Sequence, residues 1–62
     1  MMPFLVRRDG VRWATFATRS EAEAYARSLW ERDGGGGRVT VTETLAGAID
    51  RIVIDYPEDA AP

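Results

Sequence analysis

Two β-rich runs, residues 4–8 and 11–18, are separated only by Asp9-Gly10, and that spacing commits the start of the chain to an antiparallel hairpin. An Asp-Gly pair accepts the positive φ angles of a type I′ two-residue turn, whose twist matches that of the strands it joins. A two-residue turn pairs Arg8 with Val11, Arg7 with Arg12, Val6 with Trp13, Leu5 with Ala14 and Phe4 with Thr15. One face of the hairpin then carries Phe4, Val6, Val11 and Trp13. The other carries Leu5, Ala14 and Phe16 beside Arg7 and Arg12. Both faces hold apolar groups, and one helix covers only one of them. Two arrangements remain open: an exposed apolar face, or a β-bulge between Trp13 and Phe16 that returns Phe16 to the core.

Thr18-Arg19-Ser20-Glu21 is a capping box, in which the hydroxyl accepts from the Glu21 amide and the carboxylate reaches back to Thr18. Ala22, Tyr25, Ala26, Leu29 and Trp30 then share one arc of a helix expected over residues 19–33. The four glycines at 34–37 end it. They follow a helix and lack a Gly-Lys-Ser/Thr ending, so they read as a connector and not as a phosphate-binding loop. Alternation at 38–45 sets Val39, Val41 and Leu45 against Thr40, Thr42 and Thr44. A fourth strand over 49–56 sets Ile52, Ile54 and Tyr56 against Arg51, Val53 and Asp55. The expected architecture is an α+β ββαββ domain over residues 1–57, one four-stranded sheet covered on one face by one helix. Residues 58–62 read as a frayed acidic tail. Strand order is not derivable from these patterns.

The chain has 62 residues with neither Cys nor His, which removes disulfides, thiolate nucleophiles, imidazole bases and the common zinc and haem sites. No nucleophile and base pair, metal cluster or cofactor motif can be assembled, so a non-enzymatic protein without cofactor or small-molecule substrate is expected. Apolar residues make up 45% and charged residues 29%, an ordinary soluble composition. No apolar run exceeds three residues, as at 4–6 and 52–54, which is too short for a membrane span or a signal peptide, and a cytoplasmic location is the expectation. All eight basic residues are Arg, and Asn and Gln are absent, a composition expected from a high-GC bacterial genome.

A core this small supplies only a few kcal/mol of net stability, about 3–5 kcal/mol at most, and chains of this size commonly gain burial from a second copy or a partner. The leading expectation is therefore a protein-interaction module, either a homodimer or an accessory or inhibitory factor. Its size also suits a phage or mobile-element inhibitor of a host protein, such as a defence system. Trp30, Phe16, Leu5 and Val53 are the candidate interface. A second candidate surface is acidic: Glu43, Asp50, Asp55, Glu58 and Asp59. The alternative is a nucleic-acid-binding ribbon using Arg7, Arg8 and Arg12 around the first turn. The net charge of −2 disfavours it. So does its distribution, with six Arg against four acids in residues 1–32 and two Arg against six acids in 33–62.

The junction Trp13-Ala14-Thr15-Phe16-Ala17-Thr18-Arg19-Ser20-Glu21-Ala22 resembles the aromatic, then Thr-x-x-Glu-Ala, strand-to-helix junction of several small bacterial and phage domains. Over residues 4–56 the chain resembles uncharacterised short ββαββ domains. Over residues 11–30 it is similar to the arm-type DNA-binding domains of phage tyrosine integrases. The latter resemblance implies DNA contact through the sheet, although those domains place three strands before the helix and carry a basic sheet face.

Overall fold

A computed structural model describes residues 2–32, 34–45 and 49–58. The elements are β1 (Phe4–Arg8), β2 (Val11–Phe16), α1 (Arg19–Arg32), β3 (Val39–Leu45) and β4 (Ile49–Tyr56). All neighbouring strands are antiparallel and the sheet order is β2-β1-β3-β4. The ββαββ reading is thus the observed fold. Met1, Asp33 and residues 46–48 and 59–62, which include the expected helix end, the second turn and most of the acidic tail, lie outside the described residues.

The first turn forms as its residues dictate: φ is 52° at Asp9 and 82° at Gly10, both in the left-handed region that Asp and Gly tolerate. Asp9 then links the two hairpins. Its amide donates to the Arg38 carbonyl at 2.8 Å, and the Arg38 amide donates to its Oδ1 at 3.0 Å. Gly37, just before this junction, is buried, and a Cβ there would lie 2.9 Å from both Arg8 Nε and Asp9 Oδ2. Only glycine fits that approach without displacing one of them.

Helix α1 starts at the capping box with a variation. Thr18 Oγ1 accepts from the Glu21 amide at 3.3 Å, and its hydroxyl donates to Glu21 Oε1 at 2.9 Å, so the carboxylate takes the hydroxyl instead of reaching back to the Thr18 amide. At the far end, Gly34 donates to the Glu31 carbonyl and Gly35 to the Trp30 carbonyl, the paired bonds of a Schellman cap.

Strands β2 and β3 are both antiparallel to β1, so α1 crosses over β1 to join two parallel strands. That path lays the helix on the middle of the sheet. Its buried residues Ala22, Ala26 and Leu29 meet Val6, Val39 and Val41, all at most 1% exposed. Two alanines at this contact let helix and sheet approach closely.

Each outer strand carries one more residue than its inner neighbour matches. In the first hairpin the register breaks between Val6 and Arg7, giving Val6↔Ala14 and Arg7↔Arg12 with Trp13 as the surplus residue. The shift pairs Phe4 with Phe16 and turns Phe16 onto the core, where its ring lies 5.2 Å from Tyr25. The bulged alternative therefore holds, and the two-residue-turn pairing holds only as far as Arg7↔Arg12. Val11 and Trp13, expected on the core face, are 61% and 46% exposed. In the second hairpin the break lies between Val41 and Thr42, with Val41↔Ile54, Thr42↔Ile52 and Val53 as the surplus residue. This corrects the expected alternation in β4. Val53, Ile54 and Tyr56 pack against the core, while Ile52 is turned to the opposite face and is 53% exposed. Leu45, expected to align with Val39 and Val41 inward, lies at the hairpin end and is exposed.

Candidate functional site: the uncovered face of the sheet

One side of the sheet lies under α1; the other has no element over it among the described residues. The registers place its side chains in cross-strand rows. Thr15, Leu5, Thr42 and Ile52 form one row across β2, β1, β3 and β4, and Arg12, Arg7, Thr40 and Asp55 form the next. Thr44 and Asp50 lie beyond the first row on β3 and β4, joined by a 2.9 Å bond from Thr44 Oγ1 to Asp50 Oδ1.

Charge on this face is sorted by strand. Arg12 and Arg7 stand directly opposite each other on β2 and β1, an unfavourable like-charge pairing. Arg7 Nη1 finds Thr42 Oγ1 at 3.2 Å, whereas Arg12 is exposed and makes no ion pair among the described residues. Carboxylates occupy β4. Asp55 receives two bonds from Arg38, from Nε at 3.1 Å and Nη2 at 2.9 Å, the fork geometry that suits guanidinium and carboxylate. Arg38's hydrogen bonds hold the Asp55 carboxyl below the usual carboxylate range, and the same contact raises the Arg38 pKa.

Of the four candidate interface residues from the sequence, only Leu5 lies on this face. Phe16, Val53 and Trp30 pack against the core, and Leu5 is only 8% exposed between Thr15 and Thr42. Trp30 is stacked on Tyr56 with ring centroids 5.5 Å apart, and its indole donates to the Pro57 carbonyl at 3.1 Å. These four side chains are thus occupied within the chain, and Val11, Trp13 and Ile52 are among the large apolar groups left exposed instead.

The basic and acidic sets also divide. Arg7 and Arg12 share the uncovered face, while Arg8 aligns with Val6 and Val39 on the helix side. Glu43 pairs with Arg51 at 3.0 Å on the helix side, Asp50 and Asp55 lie on the uncovered face, and Glu58 is exposed after the last strand. Asp59 is outside the described residues. Sequence patterning missed Ile52 and the opposition of Arg12 and Asp55 at the two edges. The strands expected over 38–45 and 49–56 are equal in length, so the surplus residue shows only in the structure, where β3 has seven residues and β4 eight.

The fold and this face define a small α+β domain with an open, charge-sorted sheet surface. No protein family model matches the chain, and no curated protein or solved structure matches it. No helix among the described residues is long and apolar enough to cross a membrane.

Proposed function

We propose that the chain is a non-enzymatic, cytoplasmic protein-interaction module that docks a protein partner on the uncovered face of its sheet, as an accessory or inhibitory factor. The observation that carries this reading is the face itself: four strands wide, with Ile52 exposed beside a row of threonines and with charges sorted by strand. A four-stranded antiparallel sheet with one open side normally presents a polar surface there. Here Arg12 is left opposite a like charge, an arrangement that an incoming carboxylate would relieve.

The test compares faces. Captured from its source cells by cross-linking, the wild-type chain and Arg27→Glu on the exposed side of α1 should recover the same partner. Ile52→Arg and Arg12→Glu should lose it. Equal recovery by all four chains would rule out the sheet face as the docking surface.

A second reading, nucleic-acid binding, draws on Arg7 and Arg12 lying side by side on this face and on the resemblance of residues 11–30 to arm-type domains. Two phosphate contacts would give a slope of about −1.8 in log affinity against log salt on duplex DNA. Asp50 and Asp55 on the same face oppose a polyanion, so the expected result of a low-salt titration is no binding.

A further inference from the structure

We infer that the occupant of the uncovered face is a second copy of this chain, packed face to face about a two-fold axis that runs parallel to the strands. The inference rests on the proposed docking role of that face and names its partner.

Self-complementarity follows from the strand order. A two-fold axis along the strands, between β1 and β3, lays β2 of one copy over β4 of the other and β1 over β3, row on row. Arg12 on β2 then faces Asp55 on the partner's β4, and by symmetry the contact occurs twice. Arg7 faces Thr40, Leu5 faces Thr42, and the exposed Ile52 faces Thr15. An in-plane axis at right angles to the strands and midway between these two rows would lay Leu5 over Arg7 and Ile52 over Asp55, which buries charge against apolar groups. Charge therefore selects one of the two arrangements. Asp55 can take the additional guanidinium, because Arg38 occupies one bond on each oxygen and a carboxylate has about four acceptor positions. The partner contact also supplies the counter-charge that Arg12 lacks among the described residues of its own chain.

The size of the face sets the strength of the association. Four strands about 4.8 Å apart and three rows of side chains outline roughly 400 Å² per copy. That totals roughly 800 Å² for the pair, below the range of stable specific interfaces, so the dimer is a weak, reversible one that weakens further with added salt.

Sedimentation velocity of the whole chain over a concentration series is the first measurement, and the expected result is reversible monomer–dimer exchange. Arg12→Asp alone and Asp55→Arg alone should each remain monomeric, since each places like charges together twice. An equimolar mixture of the two variants should dimerise, because both contacts are then between opposite charges. Circular dichroism on each variant checks that it is folded, and Thr15→Arg, which blocks the seat of Ile52 without touching the Arg38–Asp55 pair, should also be monomeric. A wild-type chain that stays monomeric overturns the inference. So does a dimer that persists in all three variants, or a mixture that fails to recover. If the chain is monomeric but the sheet-face substitutions still abolish capture of another protein, self-association falls and the docking role stands; if those substitutions leave capture unchanged, the docking role falls as well.

Discussion

The two hairpins flank the helix with a loose symmetry, and they solve the same problem with opposite results. Each contributes a buried inner strand, β1 or β3, and a bulged outer strand, β2 or β4. Each outer strand is fastened to α1 by one aromatic pair, Phe16 with Tyr25 at the middle of the helix and Tyr56 with Trp30 near its end. The surplus residues differ. In β2 the surplus Trp13 is left 46% exposed while the strand after it regains the core. In β4 the surplus Val53 packs on the core, and Ile52 before it is turned out. One bulge therefore brings an aromatic in and the other sends an aliphatic out. A bulge is a phase shift, and its effect depends on which side of it the apolar residues lie. Bulges at both edges also interrupt the regular ladder that would invite further strands.

The symmetry breaks first at what the hairpins share. Leu29→Ala removes the largest fully buried side chain between helix and sheet and should cost about 2–5 kcal/mol, comparable to the whole stability of so small a domain. Urea titration followed by circular dichroism should find the variant largely unfolded, and a stable variant would show that the hairpins do not depend on this contact. Ala26→Leu overpacks the same contact and should cost about 1–3 kcal/mol.

The surplus residues provide a sharper test. Val53→Ser should destabilise by about 1–2 kcal/mol, because it removes apolar burial, whereas Trp13→Ser should fall below about 1 kcal/mol. The reverse order would mean that Trp13 carries packing that its exposure does not suggest. The two aromatic clamps come next. Double-mutant cycles on Phe16/Tyr25 and on Trp30/Tyr56 should each return a coupling of about 0.5–1.5 kcal/mol. Loss of the indole also frees the Pro57 carbonyl, which adds to the cost of the Trp30 single variant but cancels from the coupling.

The smallest effect expected is electrostatic and belongs to the second hairpin alone. Asp55 has a depressed pKa in the folded chain, so its contribution is present above the unfolded aspartate range and is lost as pH falls through the folded value. Both groups are well exposed, with side chains 53% and 41% accessible, so screening keeps the contribution small. Stability measured from neutral to acid pH should decline less in Asp55→Asn than in the wild type. Identical slopes would show that Arg38–Asp55 contributes nothing in solution.

Local chemistry makes much of this molecule legible in its sequence. Asp9-Gly10, Thr18 with Glu21, and the arc Ala22, Ala26 and Leu29 each act over a few residues, through backbone φ preference, capping and helical period. The turn, the helix and its buried face all form where those signals lie. Tertiary structure alone decided the strand order, the position of Trp13 outside the core, and the side of the sheet to which Ile52 points. Each depends on pairing between residues far apart in the chain, such as Val6 with Val41, and period-two alternation cannot reveal where a partner strand will force one extra residue. The opposition of Arg12 and Asp55 across the open face follows from that order, because strands adjacent in sequence need not be adjacent in the sheet.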